Sequence, residues 1–161
     1  MSGSEERRGS ELRSREFDAG DVHAAMAIFE SNVPDYFTAG ERSEYEAFLG
    51  ELPGPYLVVE DGAGEVVACG GYAVVLDDGR GDLCWGMVRR DLHGRGIGRF
   101  LTVVRVEALR ADPRVRSVVL NTSHLTQEFY ERLGFETVGR VEDGFAPGLH
   151  RCDMRLSIER P

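Results

Sequence analysis

The sequence predicts a single α/β domain whose mixed, mostly antiparallel sheet has about seven strands and is flanked by about four helices. The chain has 161 residues, 42% of them hydrophobic, which supports one core and leaves little room for a second domain. Apolar residues alternate over short segments and elsewhere recur at helical spacing. Clusters of Pro, Gly and Asp separate these segments. Strands and helices therefore succeed one another along one continuous domain.

The N-terminal half begins with a polar stretch, residues 1–10, which we expect to be a flexible tail before a domain that spans 11–161. Asp21 is a helix-capping residue, and Pro34 and Pro53 end apolar stripes of helical period. Two turns, at Asp61 to Gly64 and at Asp77 to Gly79, separate three strand-like runs. The predicted elements are strands over Leu12 to Phe17, Tyr56 to Glu60, Val66 to Leu76 and Asp82 to Val88, and helices over Asp21 to Ser31 and Glu41 to Leu52.

In the C-terminal half, the apolar period changes to that of a buried helix, which runs from Ile97 to about Ala111 and ends before Pro113. A β-branched run follows, and Gly134 ends a short helix. The predicted elements after the long helix are a strand over Val115 to Leu120, a helix over Thr126 to Leu133 and strands over Phe135 to Val141 and Leu149 to Ile158.

Charge and cysteine content exclude several classes of protein. Asp and Glu number 28 against 19 Lys and Arg, so the net charge of −9 opposes binding to nucleic acid and to anionic membranes. No apolar run has the ~18 to 20 residues of a membrane helix. The first residues resemble no secretory signal, so we expect a cytoplasmic protein. Cys69, Cys84 and Cys152 have neither disulfide nor zinc spacing, so no metal is expected.

A glycine-rich turn connects a strand to the long helix over His93 to Arg99. Free N–H groups at a helix N-terminus bind anions, and glycines let a phosphate approach the backbone. The turn lacks the Gly-Lys-Ser/Thr of a Walker loop, and Arg99 stands where the dinucleotide fingerprint has its third glycine. A pyrophosphate ligand of another kind is therefore indicated, and a turn that only permits tight packing is the alternative.

The segment from Val88 to Phe100 resembles the acetyl-coenzyme A signature of the GNAT superfamily of N-acetyltransferases, Gln/Arg-x-x-Gly-x-Gly/Ala. His93 stands at the Gln/Arg position, and Gly96 and Gly98 at the glycine positions. A later block, Phe129 to Phe135, is similar to the family's Tyr-x-x-x-Gly-Phe. The resemblance implies a GNAT-like fold, acetyl-coenzyme A as co-substrate, and these contacts with it: Met87, Val88, His93, Gly94, Arg95, Gly96, Ile97, Gly98, Arg99 and Ser123.

The resemblance implies direct transfer of the acetyl group to an amine, with Tyr130 as the general acid that protonates the thiolate. Asp82 matches the position of a catalytic base in histone-type members, and strict alternation places it on one face with Cys84, Gly86 and Val88. His124 is the alternative base. In the family, an N–H near Gly86 or Met87 polarises the acetyl carbonyl. Trp85 and Met87 would then belong to the core.

These observations predict an N-acetyltransferase that acts on a primary amine of a small molecule, amino acid, peptide or protein. Acidic residues of the early helices, among them Glu30, Asp35, Glu41 and Glu44, could attract a cation, although most such residues are solvated. The alternative is a non-catalytic module that senses or binds acetyl-coenzyme A, because Ser123 and Thr126 replace the family's Asn and Ala. A longer acyl group, such as succinyl, and a homodimer both remain open.

Overall fold

A computed structural model describes residues 11–160, in which seven strands form one sheet and four α-helices cover it. The strands are β1 (Arg13–Glu16), β2 (Tyr56–Glu60), β3 (Val66–Val75), β4 (Arg80–Val88), β5 (Ser117–Ser123), β6 (Glu136–Ala146) and β7 (Leu149–Ser157). The α-helices are α1 (Val22–Ser31), α2 (Arg42–Gly50), α3 (Ile97–Arg110) and α4 (Gln127–Arg132). The expected tail, residues 1–10, lies outside the described residues.

The strand order is β1-β2-β3-β4-β5-β7-β6. Neighbouring strands are antiparallel except for β4 and β5, which are parallel. A parallel pair needs a crossover, and α3 supplies it. The predicted single α/β domain with a mixed, mostly antiparallel sheet is confirmed.

The helices divide between the two faces of the sheet. On one face α1 and α2 pack on β2, β3 and β4 around Phe29, Tyr45 and Tyr56. On the other face α3 packs Leu101 and Leu109 against β3, β4 and β5. None of the helices within residues 11–160 is both long and apolar enough to cross a membrane.

Several strand boundaries differ from the sequence prediction, and two of these differences have a clear physical reason. Val115 is fully buried but lies in the loop before β5, so its apolar character reflects the core and not strand pairing. Strand β6 extends to Ala146, well beyond the predicted end at Val141. It is a largely exposed edge strand that pairs with β7, so its polar C-terminal half carries no alternating apolar signal.

Candidate active site

A cleft opens in the middle of the sheet because β4 and β5 pair only over their first residues. The pairing joins Arg80 to Ser117 and ends where Asp82 faces Val119. Beyond that point β4 continues along β3 to Val88, and β5 continues along β7 to Ser123. The two strands diverge, and within residues 11–160 their facing edges have no strand partner. The cleft between them has a volume of about 520 Å³ and extends to the first turn of α3.

The N-terminus of α3 borders this cleft with unpaired backbone N–H groups. Gly94 and Gly96 have φ angles of +77° and +83°, in the left-handed region that glycine enters at little cost. Gly96 is the N-cap and provides no side chain, and the first helical bond joins the Phe100 N–H to the Gly96 carbonyl. The N–H groups of residues 97–99 precede that bond, so they are free to bind an anion.

His93 is held in place at the end of β4. Its Nε2 lies 2.9 Å from the Val88 carbonyl, and its ring packs edge-on against Tyr36. A carbonyl only accepts, so Nε2 carries the hydrogen. In the neutral ring, Nδ1 then has no hydrogen to offer a phosphate. His93 therefore fixes the end of β4, and the backbone amides are the better phosphate donors.

The other residues selected from the sequence divide into two groups. Those that line the cleft are Met87, Val88, His93, Gly94, Gly96, Gly98, Arg99, Ser123 and Tyr130. Arg95, Ile97 and Asp82 do not line it. The Ile97 side chain is buried in the core, so only its backbone N–H is available to a ligand. Arg80 Nε donates to the Asp82 carboxylate over 2.8 Å, outside the cleft.

A β-bulge in β4 corrects the expected alternation of side chains. Cys84 pairs with Gly71 and Met87 with Cys69, so two residues of β4 lie opposite Gly70 alone. Trp85, at the bulge, has a φ of +44°. After the bulge the faces exchange: a Cβ at residue 86 would contact Arg105 of α3, and Val88 packs on the α3 side. Gly86 and Val88 therefore do not share a face with Asp82.

Buried hydroxyls hold the bulge from the α1–α2 face. Tyr56 Oη donates to the Trp85 carbonyl over 2.9 Å, and Tyr45 Oη lies 2.8 Å from Tyr56 Oη. Burial raises the pKa of both tyrosines, so both keep their protons. Because Tyr56 gives its hydrogen to Trp85, Tyr45 must donate to Tyr56. Gly71 makes this possible, since a Cβ there would lie 2.8 Å from the Tyr56 ring.

The peptide between Trp85 and Gly86 is thereby fixed in direction. Tyr56 lies on β2 and reaches the Trp85 carbonyl across β3. In a trans peptide the carbonyl and the N–H point in opposite directions, so the Gly86 N–H points away from β2. On that side no strand of the described residues pairs with β4 beyond Asp82, and Gly86 lines the cleft. The hydrogen bond from Tyr56 thus holds the Trp85–Gly86 peptide at the edge of the cleft.

Tyr130 reaches the cleft from α4. Its ring packs edge-on against Phe129 and Phe135, with ring centres 4.9 and 5.7 Å apart. Its hydroxyl forms no hydrogen bond with a residue in the part of the chain that the structure describes, although Tyr130 lines the cleft. The aromatic packing fixes the ring and leaves the hydroxyl available to a ligand.

Several cleft residues were not selected from the sequence as site residues. Glu41 is the one carboxylate among the described lining residues, and Tyr36, Phe37 and Trp85 contribute aromatic rings beside it. Arg105 lines the cleft from α3. Glu41 was one of many acidic residues in the sequence, and Arg105 had the spacing of a core position, so no local signal distinguished either.

The two sequence blocks meet at this cleft, and a family comparison covers both. The sequence model of the family described as Acetyltransferase (GNAT) domain matches residues 53–137, more than half of the chain. This chain belongs to the GNAT acetyltransferase family. It is accordingly an acyl-coenzyme A-dependent N-acyltransferase, which confirms the expectation drawn from the glycine turn and the Tyr130 block.

Solved GNAT structures share the fold at low sequence identity. The ribosomal-protein-S18-alanine N-acetyltransferase from Escherichia coli has a TM-score of 0.77 at 18% identity, over 94% of this chain and 96% of that chain. A GCN5-related N-acetyltransferase from Kribbella flavida has a TM-score of 0.74 at 18% identity, over 91% and 97%. The yncA protein from Salmonella typhimurium, solved with its cofactor acetyl-CoA, has a TM-score of 0.69 at 21% identity, over 94% and 96%. A search of curated proteins gave no significant match.

Proposed function

We propose that this GNAT enzyme transfers an acetyl group directly from acetyl-CoA to a primary amine while both are bound in the cleft. One observation carries the proposal. The cleft joins the uncapped N-terminus of α3, the unpaired edge of β4 at its bulge and the free hydroxyl of Tyr130. An anion site, a carbonyl-polarising donor and a proton donor are the groups that acyl transfer from a thioester requires.

The residues of the cleft fit acetyl-CoA. The free N–H groups of residues 97–99 would hold the pyrophosphate, with Arg99 beside them. The unpaired edge of β4 offers backbone groups to the pantetheine amides, in the manner of an added strand. Ser123 lies on the opposite wall. When bound, acetyl-CoA supplies an activated acyl group and a thiolate leaving group.

The Gly86 N–H is the group that we propose stabilises the oxyanion. Tyr56 fixes this peptide through the Trp85 carbonyl, so the donor need not reorganise during the reaction. One lost oxyanion-hole donor costs about 10²- to 10³-fold in turnover in other acyl-transfer enzymes. This role depends on the backbone, because residue 86 has no side chain.

We propose Tyr130 as the general acid that returns a proton to the leaving thiolate. Its hydroxyl has no partner among the described residues, while Phe129 and Phe135 hold its ring. Proton transfer by a positioned side chain contributes about 10²- to 10⁴-fold in rate. A tyrosine that served only the core would instead be expected to pair its hydroxyl.

For the acceptor, we propose that Glu41 attracts the ammonium form of the amine. Its Oε1 accepts from the N–H and hydroxyl of Thr38, which orients the carboxylate. An alkyl ammonium is neutral only about once in a thousand molecules near neutral pH, so forming the nucleophile costs about 4 kcal/mol. The proton acceptor is either Glu41 or a water on a path to Asp82, and pH–rate profiles of Glu41→Gln and Asp82→Asn would separate them.

An amine-panel assay tests the proposed function. Purified protein is incubated with acetyl-CoA and a panel of primary amines while free thiol is measured, with no amine as the control. Thiol release that depends on the amine, together with the acetylated amine found by mass spectrometry, supports direct transfer. Thermal stabilisation by coenzyme A without release from any amine would contradict it and support a binding module. An acetyl-enzyme that forms without amine would contradict direct transfer.

A further inference from the structure

Arg105 is the buried charge that the proposed reaction does not use. It lies on α3 and is only 2% exposed. Asp21 is the other buried charged residue in the described part of the chain, and Arg15 pairs with it. Arg105 forms no ion pair with any carboxylate in residues 11–160. A buried cation without a counter-charge is unfavourable, so its presence needs a cause.

The guanidinium of Arg105 has hydrogen-bond donors that the described residues do not use. Its Nε donates to the Leu101 carbonyl over 3.3 Å and its Nη1 to the Gly71 carbonyl over 3.2 Å, while Nη2 has no partner in the part of the chain that the structure describes. Every fully enclosed side-chain nitrogen and oxygen in the described residues has a hydrogen-bond partner. Nη2 is therefore not fully enclosed, and since Arg105 lines the cleft, Nη2 opens into it.

Two glycines make room for this guanidinium at the bulge. A Cβ on Gly86 would lie 2.8 Å from Nη2, and a Cβ on Gly70 would lie 3.0 Å from Nη1. The guanidinium thus takes the space that a side chain at position 86 would fill. The charge is placed on the α3 side of the cleft, beside the bulge.

The surroundings of Arg105 leave its charge uncompensated. Leu83, Leu101 and Leu120 form the neighbouring apolar walls of the cleft. Cys84 also lines the cleft, and burial raises the pKa of its thiol more than the Arg105 guanidinium lowers it. The thiol is therefore neutral and cannot balance the charge. In such an apolar setting, a ligand carboxylate would form a charge-assisted hydrogen bond.

The position of Arg105 assigns such a carboxylate to the acyl donor. Arg105 lies eight residues, or about 12 Å, along α3 from Ile97, at the level of the bulge and away from the phosphate end. Glu41, Tyr36 and Phe37 belong to the segment that joins α1 to α2, on the opposite face of the sheet from α3. The acceptor amine is expected there.

We propose that Arg105 binds the carboxylate of a dicarboxylic acyl group, so that the enzyme prefers an acyl-CoA of the succinyl class to acetyl-CoA. This inference rests on the proposed function and changes only the acyl group. The amine nitrogen bonds to the thioester carbon and gives up a proton to the proton acceptor, the carbon–sulfur bond breaks, and the thiolate takes up a proton from Tyr130. The remote carboxylate is unchanged throughout.

Binding measurements test the preference without turnover. Calorimetry compares succinyl-CoA with butyryl-CoA, which has a chain of similar length and no carboxylate, and with acetyl-CoA. We expect succinyl-CoA to bind the unmodified protein at least tenfold more tightly than butyryl-CoA. Arg105→Met should abolish this ratio, and Arg105→Lys should retain part of it. Equal binding of the two, or tighter binding of butyryl-CoA, by the unmodified protein would overturn the proposal even if the variants fail to fold.

Turnover then separates this inference from the proposed function. Amine-dependent thiol release that is faster with succinyl-CoA than with acetyl-CoA supports both proposals. Release from acetyl-CoA with no advantage for succinyl-CoA contradicts the role of Arg105 and leaves N-acetylation in place. No release from any acyl-CoA contradicts the proposed function. The ratio of the succinyl-CoA and butyryl-CoA affinities still tests the Arg105 subsite in that case.

Discussion

The α3 end of the cleft is built mainly from backbone groups, whereas the α1–α2 end is built from side chains. At the α3 end, the N–H groups of residues 97–99 and the unpaired edge of β4 border the cleft. At the other end, Glu41, Tyr36 and Phe37 provide the lining. Truncating a side chain cannot remove a backbone donor. Binding at the α3 end is therefore disrupted by adding a side chain, and binding at the α1–α2 end by removing one.

The largest effect is expected from Gly98→Asp. A Cβ at this position meets Phe129 at 3.4 Å, an ordinary contact, so there is space for a side chain. An Asp in the first helical turn favours the helix by about 0.3 to 1 kcal/mol. Its charge nevertheless occupies the anion site and repels the pyrophosphate. We expect the Kd of coenzyme A, measured by calorimetry, to rise roughly 100-fold.

Gly98→Asn is the matched control, because it adds the same volume without charge. We expect its Kd to rise less than about tenfold. Equal loss of affinity in the two variants would show that volume and not charge is responsible, and would remove the anion site from the α3 N-terminus.

The next largest effect is expected from Tyr130→Phe, which removes a hydroxyl that lines the cleft from α4. The ring keeps its contacts with Phe129 and Phe135, so the fold and the Kd of coenzyme A should not change. We expect kcat to fall about 10- to 100-fold. Steady-state kinetics and a calorimetric titration measure the two quantities, and an unchanged kcat would remove the role of general acid.

Tyr56→Phe tests whether a side chain fixes the backbone donor at the β4 bulge. It removes the donor to the Trp85 carbonyl and frees the peptide that orients the Gly86 N–H. We expect kcat to fall about tenfold with little change in the Kd of coenzyme A. The infrared carbonyl band of bound acetyl-CoA should also shift towards its value in water.

Tyr45→Phe is the control, since it removes the second buried hydroxyl and keeps the bond from Tyr56 to Trp85. We expect kcat within about twofold of the unmodified enzyme. A similar loss in both variants would indicate that the pair acts through core stability and does not position the bulge.

The same contrast explains what the sequence could predict. Gly94 and Gly96 adopt left-handed backbone conformations that favour glycine, so the residue types alone predict a tight turn at the helix N-terminus. The order of strands and helices follows from apolar period and is confirmed. Glu41 enters the site only because α1, α2 and the diverging strands meet in three dimensions. The sequence around Glu41 does not indicate that these elements come together at the cleft.

The bulge at Trp85 shows a second limit. Alternation assigns Asp82 and Gly86 to one face, but one inserted residue reverses the faces beyond it. Long-range contacts support the bulge: Tyr56 from β2 and Arg105 from α3 each need a glycine, at positions 71 and 86, to approach. A pattern read along one strand cannot show partners that lie on other elements.

A smaller effect is expected from Glu41→Gln at the acceptor end. The amide oxygen can still accept from Thr38, so the local turn is retained while the charge is lost. We expect the KM for the amine to rise about fivefold, because attraction of a partly exposed cation is weak. If Glu41 only attracts the cation, kcat changes less than about twofold, whereas a larger fall in kcat identifies Glu41 as the proton acceptor. Glu44→Gln, on the exposed face of α2, should change neither value. Equal effects of the two would assign the attraction to net charge.

The smallest effect concerns stability at the start of α1. Hydrogen bonds from Arg15 lower the pKa of the buried Asp21 carboxyl, which also accepts from the Asp18 N–H. A pKa lowered by folding stabilises the protein above the ordinary Asp pKa of 3.8, and this contribution is lost as the pH falls below it. Because Arg15 is 39% exposed, we expect Asp21→Asn to lower the free energy of unfolding by only about 1 kcal/mol near neutral pH. Urea unfolding should show the difference near neutral pH and its disappearance in acid. A difference that persists in acid would mean that geometry, and not charge, stabilises this end.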